Sequence, residues 1–395
     1  MHPPDADSVL VRHGELGVKS NQVRRKMEQQ LADNLRSMLD ARGLSGNIEQ
    51  CRNRLFVHTD QPNGVTAAAA DTFGVTSASA VTTVEPTLSA IEDALATTAR
   101  KHYNGGTFAV DARRAGPAEA HPFSSTDIES AGGTAIWEAI EELGDDPTVD
   151  LDDPDFEVFV ECRKDEAYVF CEKRDGPGGL PLGTQQPVVA LVSGGIDSPV
   201  ATWKVMKRGA PVIPVYVDLG DYGGQDHRAR AVSTVSTLAS YAPGHDLSLN
   251  VVDAGDIVAT LANELGPLRM LVLRRFMLAV AEAVARDRDA VGIVTGEAIG
   301  QKSSQTSANI AVTDPATTRP VHRPNLTVDK ATITNHAREI GTFEDSTIDT
   351  GCNRVAPSHP ETNASLAAVR TAEPDDLFER AQDCARDRVV IPIES

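Results

Sequence analysis

Short apolar runs alternate with helical patterns along the second half of the chain. The apolar runs predict β-strands at 188–192, 212–218, 249–253 and 291–295, and the periodicity between them predicts helices at 198–208, 227–240 and 270–286. Regular alternation of strand and helix is typical of a parallel sheet with helices on both faces. The second half is therefore predicted to be a doubly wound α/β domain.

The first half of the chain has a more mixed pattern. A strand at 9–12, a helix at 21–39 and a strand at 54–58 predict a small α+β unit. Beyond it, helices at 89–102 and 124–143 alternate with strands at 107–111, 156–161 and 167–172. The Gly- and Pro-rich stretch 175–183 has no periodicity and resembles an interdomain connection in composition. We predict domains at 1–62, 63–174 and 187–395, with a linker at 175–186.

Length and composition agree with a multidomain globular protein. The 395 residues exceed what one hydrophobic core uses, and 41% of them are hydrophobic and 24% charged. The sequence contains neither an apolar stretch long enough to span a bilayer nor the basic and apolar regions of a signal peptide. We therefore expect a cytoplasmic protein without membrane contact.

The charge is strongly acidic and unevenly distributed. The formal net charge is −20, and only nine of the 37 basic residues are lysines. Acidic, lysine-poor surfaces fit a very salty cytosol, and residues 1–60 carry a net charge of +1. Ten basic residues upstream of the linker are interpreted either as a solvated face or as nucleic-acid contacts. They are Arg12, Lys19, Arg24, Arg25, Lys26, Arg52, Arg54, Lys101, Arg113 and Arg114.

The cysteines do not predict a disulfide framework or a metal centre. Five widely spaced cysteines contain no C-x-x-C pair, so a zinc site or an iron–sulfur cluster is not expected. Cys162 shares a strand face with apolar residues and is predicted to pack in a core, as is Cys171. Cys384 lies in a polar helical tail, where a resolving thiol is the alternative to a structural role.

The loop 193–198, with the sequence SGGIDS, carries the strongest chemical signal. It joins the apolar strand 188–192 to a helix with proline in its first turn. Free backbone N–H groups and the positive end of the helix therefore converge on one point, which is an anion-binding arrangement. No Gly-Lys-Ser/Thr follows, so the loop is not a Walker motif. The alternative is a glycine turn that only connects strand to helix.

This loop resembles the PP-loop of ATP pyrophosphatases, which binds the β and γ phosphates of ATP while the α phosphate is attacked. Other segments narrow the resemblance to the tRNA 4-thiouridine synthetase (tRNA uridine sulfurtransferase) family. In the second half these are 176–181, 273–277, 295–301, 304–306, 323–326 and 329–330. In the first half, 12–19 is similar to the family's ferredoxin-like domain, and 73–75 and 110–114 resemble its RNA-binding THUMP domain.

The resemblance implies a set of residues that contact ATP. They are Leu191, Val192, Ser193, Gly194, Gly195, Asp197, Ser198, Tyr216, Val217, Arg274, Gly296 and Gln305. Asp197 is expected to hold Mg²⁺ on the triphosphate, and a helix N-cap is its alternative role. Arg274 is expected to contact a phosphate, with a solvated helix position as the alternative.

Cys352 aligns with the family's catalytic cysteine. It lies in a polar, Gly-containing loop after the sheet strands, where a thiol near a phosphate site can be activated as thiolate. Asp197 and Cys352 are therefore the predicted catalytic residues, and a structural cysteine is the alternative for Cys352. The chain has no room for a rhodanese domain after this position, so a cysteine desulfurase and free sulfide both remain candidate sulfur donors.

The family resemblance implies ATP-dependent formation of 4-thiouridine at position eight of tRNA. ATP and Mg²⁺ are the expected cofactors, tRNA is the expected partner, and a homodimer is considered as the assembly. One alternative is sulfur transfer for the thiazole of thiamine. Others are an ammonia-using ATP amidotransferase and a non-enzymatic RNA-binding protein.

Overall fold

The chain folds into two compact units, Met1–Gly179 and Leu180–Ser395. The computed structural model describes residues 1–14, 20–51, 54–116, 118–223, 225–344 and 355–393. The boundary between the two units falls within the Gly- and Pro-rich stretch that separates the halves of the sequence. Each unit has its own β-sheet.

The first unit opens with a small α+β arrangement. Its strand β1 lies between two antiparallel neighbours, β3 and β4. The elements are β1 (Ser8–His13), α1 (Asn21–Ala41), β2 (Asn47–Cys51), β3 (Arg54–His58), α2 (Pro62–Ala70) and β4 (Val75–Val84). The sequence pattern predicts β1, α1 and β3. It does not predict β2, because the residues of this strand are mostly polar and exposed.

The rest of the first unit packs two helices against further strands. Its elements are α3 (Leu88–His102), β5 (Thr107–Arg114), α4 (Ser125–Glu142), β6 (Thr148–Val149), β7 (Phe156–Cys162), β8 (Ala167–Phe170) and β9 (Arg174–Asp175). A capping box starts α4, because Ser124 and Asp127 each accept a hydrogen bond from the other's backbone N–H. Leu95 of α3, Ile136 of α4 and Val158 of β7 meet in one core.

Strand β4 makes the two parts of this unit one continuous sheet. Its residues from Val75 to Val81 pair with β1, and Thr82, Thr83 and Val84 pair with β8. The strand order is β2-β3-β1-β4-β8-β7-β5-β6, with β9 also paired to β4. The predicted segments 1–62 and 63–174 therefore share a sheet, and the long strand that joins them belongs to the second segment.

The second unit is the predicted doubly wound α/β domain. Its strands are β10 (Val188–Leu191), β11 (Val212–Asp218), β12 (Leu249–Asp253), β13 (Ile293–Val294), β14 (Val321–His322) and β15 (Val389–Ile391). They are ordered β14-β13-β10-β11-β12-β15, and all neighbours are parallel except β12 and β15. The two edge strands, the parallel β14 and the antiparallel β15, are additions to the four predicted strands.

Helices flank this sheet. They are α5 (Asp197–Met206), α6 (Gln225–Ala239), α7 (Gly255–Glu264), α8 (Arg269–Asp287), α9 (Ser307–Thr313), α10 (Lys330–Glu339), α11 (Leu366–Ala372) and α12 (Leu377–Arg386). Helix α8 is the central one, because it buries most of its length in the main core of the unit. Across the described part of the chain, no helix has the length and apolar character that crossing a membrane requires.

Candidate functional site

The loop 193–198, called the PP-loop below, follows β10 and enters α5. Its two serines hold the loop in shape: the Ser193 N–H donates to Ser198 Oγ at 2.9 Å, and the two hydroxyl oxygens are 3.1 Å apart. The N–H of Gly195 donates to Ser193 Oγ at 3.3 Å. The serines therefore fix a tight turn directly before the N-terminus of α5, where helical N–H groups lack intrahelical partners.

Gly296 allows the end of β13 to approach this turn closely. A Cβ at position 296 would lie 2.6 Å from the backbone nitrogen of Ser198 and 2.7 Å from the carbonyl carbon of Asp197. Only a residue without a side chain fits at this distance from another backbone. Gly296 therefore acts by bringing the 295–297 segment against the PP-loop.

The Asp197 side chain is held at the first turn of α5. Lys330, at the start of α10, donates to its Oδ1 at 2.6 Å, and Gln301 donates to its Oδ2 at 3.0 Å. The amide of Asn325 donates to the Asp197 carbonyl oxygen at 2.8 Å and accepts from Lys204 Nζ at 2.9 Å. The backbone turn that carries Asp197 is thus anchored from two later parts of the chain.

A buried ion network lies beside the loop and centres on Glu297. Its carboxylate accepts from Arg274 at 2.5 Å, from Arg323 at 2.8 Å and from the Thr295 hydroxyl at 2.8 Å. Burial opposes ionisation of Glu297, but the charges of Arg274 and Arg323 outweigh it and hold the pKa of this carboxyl below its usual value. Arg323 also contacts Asp314. Arg274 is therefore fixed in place rather than solvated.

These groups surround one cavity of about 420 Å³. This volume lies within the range of about 300 to 1,000 Å³ that is usual for small-molecule sites. Its lining includes the PP-loop, the ends of β10 and β11, the inner face of α8 and the 3₁₀ turn Ser303–Gln305. All twelve residues predicted to contact ATP are among its lining residues. In the amide orientation that satisfies its neighbours, Gln305 accepts from Arg274 Nη2 at 2.9 Å.

Charged residues of the first unit form a separate, partly buried cluster. Glu161 is bound by Arg54 at 2.7 Å and by Arg163 at 2.8 Å, and Arg12 lies 3.8 Å away. Burial, only partly offset by Glu161, lowers the pKa of Arg12 to about 10. The Arg12 guanidinium also lies 4.8 Å above the Phe170 ring. Lys19 and Arg52 lie outside the described residues.

Three family models match successive parts of the chain. The ThiI ferredoxin-like domain matches residues 8–79, the THUMP domain matches 85–172, and the thiamine biosynthesis protein (ThiI) family matches 183–377. A probable tRNA sulfurtransferase of Halobacterium salinarum is 60% identical over 389 residues, 98% of each chain. The chain belongs to the tRNA sulfurtransferase family. A probable tRNA sulfurtransferase of Methanosarcina mazei is 37% identical over 92% of this chain and 90% of its own.

A solved structure extends this sulfurtransferase relationship to the whole fold. The crystal structure of a 4-thiouridine synthetase–RNA complex with bound ATP superimposes with a TM-score of 0.84. The two proteins are 28% identical, and the match covers 99% of this chain and 100% of that one. The predicted family and fold class are therefore confirmed.

Several residues of this candidate site were not singled out from the sequence. Gln301, Asn325 and Lys330 hold Asp197, Glu297 holds Arg274, and Arg323 binds Glu297. All five fall within segments that resemble the family, so the signal was present without an assigned role.

The structure describes some of the cysteines and not others. Cys162 is fully buried, as predicted, and burial raises its pKa. Burial likewise raises the pKa of Cys171 to about 11 and raises that of Cys384. None of these three has the low pKa that marks a reactive thiol. Cys352, the predicted catalytic cysteine, lies outside the described residues.

Proposed function

We propose that this protein uses ATP to replace the 4-oxygen of a tRNA uridine, position eight in the family, with sulfur. The observation that carries the proposal is the cavity at the PP-loop, whose lining contains every residue predicted to contact ATP. The relatives named tRNA sulfurtransferase and the ATP-bound 4-thiouridine synthetase support it.

ATP chemistry at this site begins with the phosphates. The PP-loop and the N-terminus of α5 bind the β and γ phosphates. Arg274, held by Glu297 and by Ser304 at 2.9 Å, presents a positioned cation at the cavity wall. Tyr216 and Val217 line the cavity at the carboxyl end of β11, where open α/β sheets bind ligands.

The residues fit a Mg²⁺ ion that arrives with the nucleotide. In the described part of the chain, no group of three His, Cys, Asp or Glu residues is placed to hold a metal by itself. Mg²⁺ is commonly held by one or two carboxylates together with substrate phosphates, and Asp197 offers such a carboxylate at the cavity. When bound, the ion neutralises charge that develops on the departing pyrophosphate.

Activation of the uracil explains why ATP is needed. A carbonyl oxygen is a poor leaving group, whereas an oxygen esterified to AMP is a good one. The uracil O4 attacks the α phosphorus and pyrophosphate leaves. Sulfide then attacks carbon 4, and AMP leaves to give the thione.

Cys352 is the proposed carrier of sulfur as a persulfide. Attack by its terminal sulfur on carbon 4 expels AMP and leaves a disulfide between Cys352 and the base. A second thiol must then reduce that disulfide, and Cys384 or an external thiol is the candidate. The donor of this persulfide sulfur is a cysteine desulfurase, which passes on sulfur from a persulfide of its own. Free sulfide, the alternative donor, is already at the oxidation level of the thione and would attack carbon 4 directly, without the persulfide. No iron–sulfur cluster takes part.

The first unit is the proposed tRNA-binding part. Its THUMP match and its arginine cluster around Glu161 support this assignment. Structured RNA is usually read through shape and backbone, and we expect the first unit to bind tRNA in this way. We further propose a cytoplasmic location, and a homodimer as the assembly.

A second candidate function is sulfur transfer for the thiazole of thiamine. It is favoured by the name of the family model that matches residues 183–377, the thiamine biosynthesis protein. Both functions would use the same ATP cavity. They differ in the acceptor, because only tRNA thiolation needs the RNA-binding unit.

The decisive assay incubates the full-length protein with tRNA, ATP, Mg²⁺ and a sulfur donor, and measures 4-thiouridine by mass spectrometry of nucleosides. The donor is a cysteine desulfurase with cysteine in one reaction and sulfide in another. Pyrophosphate is measured in parallel. With the desulfurase as donor, we expect Asp197→Ala to abolish both products, whereas Cys352→Ala releases pyrophosphate without making 4-thiouridine. Cys162→Ala is the matched cysteine control and keeps both.

Two outcomes would overturn parts of the proposal. If the wild-type protein makes no 4-thiouridine with either sulfur donor, the proposed tRNA thiolation is wrong. Normal thiolation by Cys352→Ala with sulfide would show that sulfide attacks directly and that the cysteine is not an obligatory carrier.

A further inference from the structure

Asn309 is a buried amide in the first turn of α9, with every hydrogen-bonding group occupied. Its side-chain nitrogen donates to Ser303 O at 2.7 Å and to Glu361 O at 2.9 Å. Its side-chain oxygen accepts from the N–H of Ala364 at 3.0 Å. The residue is fully buried. The amide therefore binds backbone groups of two segments, one at Ser303 and one at 361–364. These bonds fix the distance between the two segments.

The first of these segments is a wall of the nucleotide cavity. Ser303 begins the 3₁₀ turn Ser303–Gln305, and all three residues of this turn line the cavity. Within the turn, the hydroxyl of Ser304 accepts from Arg274 Nε at 2.9 Å. A shift of the Ser303 carbonyl would therefore move both the wall and the partner of Arg274.

The second segment, 361–364, follows Cys352 in the sequence. Glu361 is nine residues after Cys352 in the sequence. Between these two residues, Ala356 lines the cavity. A further bond strengthens the junction, since the Thr306 hydroxyl donates to Thr362 O at 2.7 Å. The continuation of the cysteine-bearing chain is thus tied to the cavity wall.

We propose that Asn309 is a positioning residue that couples the ATP cavity to the segment following Cys352. The inference rests on the proposed function, because it assigns the coupling to adenylation and sulfur transfer. Asn309 holds the Ser303–Gln305 wall and the 361–364 segment at one fixed spacing. Adenylation at the cavity and the following sulfur transfer both depend on that spacing.

The chemistry of the amide makes the requirement specific. Two carbonyl oxygens face the side-chain nitrogen, so an aspartate at this position would place a second oxygen against them. Asn309→Asp therefore removes both donors at constant size, and Asn309→Ala removes the side chain altogether. Both changes release the junction without touching a residue of the PP-loop.

Asn250 provides a matched control in the same unit. This asparagine of β12 is also fully buried, and its nitrogen donates to Pro214 O at 3.1 Å and Ser248 O at 3.3 Å. Its oxygen accepts from Arg388 at 3.0 Å, and the residue does not line the cavity. Asn250→Ala therefore removes an equivalent set of buried hydrogen bonds away from the site.

The experiment measures two quantities in full-length protein, below the melting temperature of each variant. These are the KM for ATP in tRNA-dependent pyrophosphate release and the number of 4-thiouridines made per pyrophosphate released. We expect Asn309→Ala and Asn309→Asp to raise the KM and to lower the product ratio, each by about tenfold. For Asn250→Ala we expect both quantities to stay at the wild-type value.

A purely structural role predicts a different result. Loss of folded protein lowers pyrophosphate release and thiolation together, so the KM and the product ratio stay constant. If both Asn309 variants behave in this way, as Asn250→Ala does, the inference is wrong. Failure of the proposed function is visible separately, because wild-type protein would then make no 4-thiouridine at all.

Discussion

The contact between Gly296 and the PP-loop gives the sharpest test of the site geometry. Adding one methyl group, as in Gly296→Ala, would place a Cβ 2.6 Å from Ser198 N. Ordinary van der Waals contact begins at 3.4 Å, so the backbones must separate by about 0.8 Å along this line. Neither side of the contact is a flexible side chain that could turn away. The added methyl group therefore has to move the turn that carries Asp197.

The magnitude follows from this displacement. Overpacking of this kind costs about 1 to 3 kcal/mol, which lowers the melting temperature of a unit of this size by roughly 3 to 10 °C. The effect on activity is larger, because a misplacement of about 1 Å at a reacting group can cost about 100-fold in rate. We therefore expect Gly296→Ala to fold but to release pyrophosphate about 100-fold more slowly than wild type.

A glycine in open space is the control. A Cβ at Gly266 would have no heavy atom within 4 Å, and Gly266 has no positive φ. Gly266→Ala should therefore keep the wild-type melting temperature, or raise it slightly, and keep full activity. Thermal unfolding and tRNA-dependent pyrophosphate release measure both variants. Wild-type stability together with wild-type pyrophosphate release in Gly296→Ala would refute the close approach of β13 and the PP-loop.

Three further predictions concern a buried ion pair, a buried histidine and RNA binding. Arg275 is fully buried and donates to Glu373 at 2.7 and 3.2 Å. Glu373→Gln should therefore lower the free energy of unfolding by about 3 kcal/mol, measured by thermal unfolding, and an unchanged melting temperature would contradict this. Burial, reinforced by neighbouring arginines, lowers the pKa of His13 to about 4. Between pH 4 and 6.5 the unfolded chain binds a proton at His13 that the folded protein does not bind. The free energy of unfolding should therefore rise by up to about 3 kcal/mol from pH 4 to 6.5. His13→Phe should flatten this slope in denaturant titrations. The fragment Met1–Gly179 should bind tRNA in gel-shift titrations at several salt concentrations, and full binding by Leu180–Ser395 alone would contradict that role.

The four inner strands of the second unit, β10 to β13, were predictable because burial on both faces of a strand produces a continuous apolar run in the sequence. The predicted bounds 212–218 and 249–253 coincide with β11 and β12. Strand β15 has only three residues, and Val389 and Val390 are exposed at the edge of the sheet. Edge strands of this kind lack the two-sided burial that produces a strong pattern.

The candidate site likewise has a part that the sequence predicts and a part that only the fold shows. The PP-loop is local, so its strand, glycines and helix are adjacent in the sequence and predict an anion site directly. The contact of Lys330 with Asp197 joins residues 133 positions apart, and nothing in the spacing of either residue indicates it. Family resemblance marks both segments, but only the fold shows that one holds the other.

The acidity of the chain is compatible with the proposed role in RNA binding because of how its arginines are arranged. Arg12, Arg54 and Arg163 surround one carboxylate, Glu161, so the cluster keeps an excess of positive charge. Salt screens exposed charges strongly and partly buried ones much less, and Arg12 and Arg54 are mostly buried. Guanidinium groups are also more weakly hydrated than ammonium groups and match phosphate geometry. A chain with few lysines and a net charge of −20 can therefore still offer positive charge to phosphates at this partly buried arginine cluster.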